Sequence, residues 1–278
     1  MERVMERSPL HHGIQGVGSR RGYSSHQYNP FVMLAKHDTT EDSGWCWGAC
    51  FIYSGNFQAE AEVSQANNTR LTMGIHDTQF DFLLEPGEYF TAPEVMMSFS
   101  SEGMGKLSRN YHKAIRQNVC RGKFKNARRP ILINNWEATY FGFDTDKLLE
   151  IAREAKKVGI EMLVMDDGWF GKRDDDNSGL GDWVVNEKKL PGGLKRLVDG
   201  VNEIGLKFGI WFEPEMVSED SDLYRAHPDW ALKVPGHSLT RGRNQLVLDF
   251  SRTDVRQYIF DKMSEILESA NIEYVKWD

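Results

Sequence analysis

The sequence predicts a two-part chain: an all-β N-terminal part over residues 1–129, then an α/β part over 130–278 with a parallel sheet wound by helices. Three observations carry this. Before about Ser101 the apolar residues fall in short alternating runs between turn signals, the pattern of antiparallel strands. After Pro130 the period changes to strand–helix–strand units, each helix stopped by a single glycine. The last seven residues, Ile272–Asp278, form a β-branched and aromatic strand fed directly by a helical segment.

Within the first part, His12–Gln27 is rich in Gly and Ser and reads as a loop with a strand start. Strands are expected at Phe31–Ala35, Gly44–Tyr53, Asn56–Ser64, Arg70–Gly74, Phe80–Leu84 and Val95–Phe99. Asp42-Ser43-Gly44, Ser54-Gly55-Asn56, Asn67-Asn68 and Pro86-Gly87 supply the turns between them. Short strands at this spacing suggest an antiparallel sandwich. A helix follows over Gly103–Cys120, where Met104, Leu107, Tyr111, Ala114 and Ile115 recur at helical spacing. Its basic tail, Arg121–Arg129, ends at Pro130, which marks the domain boundary.

The second part reads as strand Ile131–Trp136, helix Asp144–Val158 ended by Gly159, and strand Glu161–Asp167. A long acidic loop runs through Leu190 to helix Gly193–Ile204 and strand Leu206–Phe212. A helical turn near Asp220–Ala226, a short strand Leu246–Phe250, helix Thr253–Ala270 and the terminal strand complete it.

Composition narrows the function classes. A net charge of −7 without a basic stripe argues against nucleic acid as partner. No apolar run approaches the ~20 residues that span a bilayer, and Met1–Arg7 has no apolar signal core, so a cytoplasmic protein is expected. The three cysteines, Cys46, Cys50 and Cys120, are an odd number without zinc spacing and suit reduced thiols. Eight Trp residues suit stacking on sugar faces, and serve a core or an interface equally well.

Chemistry collects where strands end. Trp136 follows the first strand, Asp166-Asp167-Gly168-Trp169 the second, Trp211 with Glu213 and Glu215 the third, and Lys276 with Asp278 the last. In a (β/α)₈ barrel all these ends face one mouth. Carboxylates accept hydrogen bonds from paired hydroxyls and indoles cover apolar ring faces, so this rim suits a neutral polyol. Other readings stand beside it. Lys276 and Asp278 also make a structural ion pair, Asp166-Asp167-Gly168 a simple turn or a Mg²⁺ or Ca²⁺ ligand pair, and Glu213 and Glu215 helix N-terminal charges. Asp174-Asp175-Asp176-Asn177 reads as a solvated loop tip, and there is no phosphate loop or nucleophile elbow.

Trp136, Val164-Met165-Asp166-Asp167-Gly168-Trp169-Phe170, Gly209-Ile210-Trp211-Phe212-Glu213-Pro214-Glu215-Met216, Leu248-Asp249-Phe250-Ser251 and Tyr274-Val275-Lys276-Trp277-Asp278 together resemble the α-galactosidases of glycoside hydrolase family 36. The resemblance covers essentially the whole chain, with five motifs in the family's order. It implies a β-supersandwich portion followed by the first half of a (β/α)₈ TIM barrel, and a retaining hydrolase of terminal α-D-galactosyl residues from sugars such as melibiose and raffinose. It implies Asp278 as nucleophile, with Trp136, Asp166, Asp167, Trp211, Arg243 and Lys276 binding the sugar, and no metal or organic cofactor. The strand Leu246–Phe250 then counts as an insertion, leaving four barrel strands. A homo-oligomeric parent, such as a tetramer, is also implied.

The departures shape the expectation. The chain stops on the proposed nucleophile, and the family's acid/base, the later barrel strands and the C-terminal domain have no counterpart in it. The expectation is a fragment of an α-galactosidase, without turnover of its own. Alternatives are an α-N-acetylgalactosaminidase, a galactosyl-transferring relative of the raffinose synthase kind, or a non-catalytic sugar-binding fragment.

Overall fold

A computed structural model describes residues 7–24, 27–239 and 241–278. Most of the segment Met1–Arg7, read above for a signal core, lies outside the described residues. The chain divides into two compact units, Met1–Ala127 and Arg128–Asp278.

The first unit holds two antiparallel three-stranded sheets. Strands β1 (Gly13–Ser19), β4 (Phe57–Val63) and β5 (Thr69–Ile75) form one, in the order β1-β4-β5. Strands β2 (Phe31–Ala35), β3 (Cys46–Phe51) and β6 (Val95–Ser100) form the other, in the order β2-β3-β6. Helix α1 (Gly103–Asn118) packs on β3 and β6 and turns Leu107 and Tyr111 onto Cys46. Cys46, Cys50 and Cys120 are free thiols.

Two expectations need correction here. The Gly- and Ser-rich stretch is a complete strand, β1, paired residue for residue with β4 from Gly13 opposite Val63 to Ser19 opposite Phe57. Two of its glycines suit the close pairing: a Cβ on Gly16 or Gly18 would stand 3.0 or 2.6 Å from the Ala59 or Phe57 carbonyl oxygen. Conversely, Phe80–Leu84 is no strand. It lies in an irregular stretch between β5 and β6, where Phe80 and Phe82 pack on Phe90 at 5.8 and 4.8 Å and Leu83 is exposed. β-propensity expresses itself only on a paired, half-buried surface, and this segment has no ladder partner among the described residues.

In the second unit, β7 (Leu132–Asn134) leads through a one-turn helix α2 (Trp136–Thr139) into α3 (Thr145–Lys157) and β8 (Met162–Met165). Helix α4 (Gly193–Glu203) precedes β9 (Lys207–Phe212), and α6 (Thr253–Glu268) precedes β12 (Tyr274–Trp277). The four strands form one parallel sheet in the order β7-β8-β9-β12, so spatial order follows chain order with a helix between each pair. That is the winding of the first half of a (β/α)₈ barrel. Between β9 and β12, β10 (Met216–Ser218), helix α5 (Asp222–Ala226) and β11 (Gln245–Val247) make an excursion, with β10 and β11 antiparallel to each other and outside the parallel sheet. β10 was not expected from the sequence: three residues after Pro214 give no period to read.

Helix α3 has both a side-chain cap and a glycine stop. Asp144 caps α3 by accepting from the Lys147 N–H at 2.8 Å, and Gly159 beyond its end takes a left-handed φ of 87°. Leu148, Ala152 and Ala155 of α3, Leu194, Leu197, Val198 and Val201 of α4, and Val255, Ile259, Met263 and Ile266 of α6 make apolar stripes. They close over β8 and β9, buried along nearly their whole length.

The first strand is shorter than the expected Ile131–Trp136. Asn134 Oδ1 accepts the Trp136 N–H at 2.7 Å, and Asn135 bonds Thr139 at 2.8 Å. Short amide side chains that capture nearby backbone or hydroxyl groups turn the chain out of the extended form.

The packing of α1 yields a test. A Cβ on Gly48 of β3 would lie 2.7 Å from the Tyr111 ring, whose hydroxyl donates to the Met96 carbonyl at 3.1 Å. Gly48→Ala is expected to destabilise by ~1–3 kcal/mol, the usual cost of overpacking. Equilibrium urea unfolding checks it, and an unchanged midpoint would show that the ring moves aside freely.

Candidate active site

The carboxyl ends of β7, β8, β9 and β12 converge on one polar cluster. Parallel register brings Lys276 beside Trp211 and Trp277 beside Phe212, and β8 ends immediately before Asp166-Asp167.

Asp166, 2% exposed, is the hub. Its Oδ2 accepts from Lys276 Nζ at 2.8 Å and from Asn134 Nδ2, and its Oδ1 accepts the Asp167 N–H at 2.9 Å. Its own N–H donates to Asn135 Oδ1 at 2.8 Å. Asp278 stands at the open side, half exposed, with Oδ2 accepting from the Trp211 indole N–H at 3.0 Å and 3.9 Å from Lys276 Nζ. Lys276 therefore binds Asp166 directly and reaches Asp278 only at the limit of an ion pair.

Asp167 turns to a different partner. Arg173, fully buried, donates Nε to both its oxygens at 3.1 Å and Nη2 to Oδ2 at 2.9 Å. Burial pushes the Asp167 carboxyl above its ordinary range, while the Arg173 fork and the Gly168 N–H pull it down. Arg173 stays charged in this pair, because a guanidinium does not give up its proton.

Trp211 offers the site an edge rather than a face. It is buried, stacks on Phe170 with centroids 6.1 Å apart and planes 5° apart, and its carbonyl accepts the Trp169 indole N–H at 3.0 Å. Trp136 and Arg243 join at one remove. Trp136 meets Phe141 edge to face at 5.0 Å, and Phe141 lies 5.7 Å from the Arg173 guanidinium. Arg243, exposed and in a left-handed φ of 49°, donates to both oxygens of Glu213 at 3.0 and 3.2 Å. Burial raises the Glu213 carboxyl, Arg243 opposes this, and the charge of nearby Asp278 adds to the rise. Glu215 accepts the Trp277 indole N–H at 3.0 Å.

Sequence reasoning missed Asn134, Asn135, Arg173 and Lys189. Lys189 Nζ donates to the carbonyls of Phe141, Gly168 and Arg173 at 3.1, 3.0 and 3.0 Å and pairs with Asp174 at 2.8 Å. An Asn-Asn step at a strand end was the one available signal; Arg173 and Lys189 stood in a segment that read as a long acidic loop. The tip itself is solvated, with Asp174 and Asp176 exposed. No group of three or more His, Cys, Asp or Glu that could hold a metal occurs among the described residues.

Four parallel strands ending in carboxylates, an ammonium and an indole N–H define the front half of a (β/α)₈ barrel with an acidic mouth. Residues 89–278 match the Melibiase family model, and residues 1–85 match the Glycosyl hydrolase family 36 N-terminal domain. The chain belongs to the Melibiase family. It is 57% identical over 278 residues to the bifunctional alpha-galactosidase/sucrose kinase AgaSK of Mediterraneibacter gnavus, covering 100% of this chain and 30% of that protein. The crystal structure of the GH36 alpha-galactosidase AgaA from Geobacillus stearothermophilus superposes with a TM-score of 0.94 at 55% identity, over 98% of this chain and 38% of that one. A substituted AgaA in complex with stachyose superposes equally well, with a TM-score of 0.94 at 54% identity, over 99% and 38%. The chain thus spans 30–38% of the length of these relatives.

Asn135 gives this site its own test. It is fully buried and holds the Asp166 N–H, so Asn135→Ala leaves that donor without a partner. The expected loss is ~1–3 kcal/mol of unfolding free energy, the cost of an unsatisfied buried group. Chemical denaturation measures it, and a change under a few tenths of a kcal/mol would mean that water replaces the amide at no cost.

Proposed function

We propose that this chain supplies the nucleophile and much of the sugar-binding surface of a retaining α-galactosidase, acting on terminal α-galactosyl units of oligosaccharides such as melibiose, raffinose and stachyose. The observation that carries this is the placement of Asp278. Its carboxylate lies at the end of β12, with the Trp211 N–H bonded to Oδ2 and Lys276 Nζ 3.9 Å from the same oxygen. Oδ1 is then the oxygen left to attack an anomeric carbon.

Family membership and the α-galactosidase relatives support the substrate class. In the double displacement, Asp278 Oδ1 forms a glycosyl ester as a second carboxylic acid protonates the leaving oxygen, and water then releases the sugar with retained configuration. The two carboxyl groups of such a pair stand ~5–5.5 Å apart. Glu213 is not assigned the acid role, since Arg243 engages both of its oxygens. The neighbouring Asp166 and Asp167 are the acceptors for paired ring hydroxyls, and Lys276, between Asp166 and Asp278, is a donor to the same ring.

The test uses the full-length protein. It is expected to hydrolyse 4-nitrophenyl α-galactoside with retention by NMR, and Asp278→Gly to lower turnover ~10⁴-fold or more, the scale of losing a nucleophile. Azide is expected to restore part of the rate in Asp278→Gly and none in Asp278→Asn, where the side chain still fills the gap. A mechanism-based galactoside label recovered on a carboxylate other than Asp278 would reject the assignment.

A further inference from the structure

Asp166 and Asp167 are consecutive buried carboxylates, and each has its own cation. Lys276 reaches Asp166 from β12, and Arg173 reaches Asp167 from the loop after β8. Arg173 is the more constrained. Its guanidinium has no exposed surface, Nη1 donates to the Ser178 carbonyl at 3.0 Å, and the Phe141 ring lies 5.7 Å away. Its backbone is held as well, because Lys189 ties the carbonyls of Gly168 and Arg173, the two ends of the intervening strap, to that of Phe141. Gly168, at a φ of 103°, lets the strap approach: a Cβ there would stand 3.0 Å from the Phe141 ring.

A buried ion pair is a poor device for stability alone, since well-packed apolar residues of the same volume often do as well or better. It earns a role where a carboxylate must be fixed in orientation. A guanidinium fork sets the plane of its partner as an ammonium cannot. The fork also loads the two Asp167 oxygens unequally: of the Arg173 donors, Oδ2 takes Nε and Nη2, whereas Oδ1 takes the shared Nε. Oδ1, engaged by the fork less than Oδ2, is the oxygen the fork leaves for a ligand hydroxyl.

We propose that Arg173 is a positioning residue for sugar binding: it holds the Asp167 carboxylate in the plane that presents Oδ1 to a ring hydroxyl, and Lys189 holds the strap that carries it. This rests on the reading of the site as galactoside-binding. Arg173 touches no substrate and acts on the sugar through Asp167; its other carboxylate neighbour, the exposed Asp176, lies 3.6 Å from Nη2.

A double-substitution cycle in the full-length protein tests it, read as the galactose inhibition constant and as kcat and KM on 4-nitrophenyl α-galactoside, with melting temperature recorded for each variant. Arg173→Lys keeps the charge and loses the fork. It is expected to raise the galactose inhibition constant and KM about 10-fold or more, the scale of a hydrogen bond to a charged group, with a smaller change in kcat. Asp167→Asn is expected to do at least as much, and the double variant no more than Asp167→Asn alone, because the two act as one unit. Losses that multiply, or a lowered melting temperature with the galactose constant within twofold of the unsubstituted protein, would overturn the proposal. If Arg173→Lys gives no folded protein, Lys189→Gln loosens the strap without unpairing Asp167: a raised galactose constant supports the proposal and an unchanged one overturns it. Failure of the underlying reading shows differently, as an unsubstituted protein that neither turns over the galactoside nor binds galactose, and it takes the proposal with it.

Discussion

Two adjacent carboxylates withdrawn from water at the end of β8 set the terms for the rest of the barrel mouth. Each buried ion costs several kcal/mol unless it is paired and hydrogen-bonded, and like charges on consecutive residues add to that cost. The structure answers with separate partners. Asp166 receives Lys276, Asn134 and a backbone N–H, and Asp167 receives Arg173 in a fork. Lys276 arrives only if β12 lies parallel to β9 in the register that sets it opposite Trp211. A shift of one residue would turn Lys276 to the other face, leaving Asp166 without its ammonium.

The same register delivers Asp278. Once β12 is aligned, Asp278 N–H donates to the Phe212 carbonyl at 2.9 Å, and the Trp211 indole reaches its carboxylate. Trp211 is held from behind by stacking on Phe170 and by the bond from Trp169, within a buried group that includes Trp183 and Phe212. This buried aromatic mass lies beneath the cluster and holds the indole N–H that donates to Asp278. The loop after β8 supplies both the anchor, Arg173, and part of the aromatic floor, Trp183, so its length is structural rather than slack.

The eight Trp residues show how a composition signal divides on folding. Trp169, Trp183, Trp211 and Trp230 are buried, and Trp45, Trp47 and Trp277 keep substantial exposed surface. Their abundance alone did not distinguish core from platform. Trp211 contributes an N–H rather than a ring face, and Trp277 spends its N–H on Glu215.

By itself the sequence determined whatever is periodic or local. The stripes of α3, α4 and α6, the Asp144 cap, the Gly159 stop and the buried strands β8 and β9 are written in spacings of two to four residues, within reach of propensity and capping rules. So is the placing of Asp166, Asp167, Trp211, Lys276 and Asp278 at strand ends. Tertiary structure decided what depends on partners far along the chain. Phe80–Leu84 has strand composition and finds no ladder, whereas Gly13–Ser19 has loop composition and becomes a strand because β4 lies beside it. It decided too that Lys276 serves Asp166, 110 positions away, before Asp278, two positions away. And it made a buried counter-ion of Arg173, which in sequence is one more charge in a polar loop. The physical reason is common to all three: hydrogen-bond ladders and buried charges are satisfied across space, and a linear pattern records only the residue, not the partner that folding brings to it.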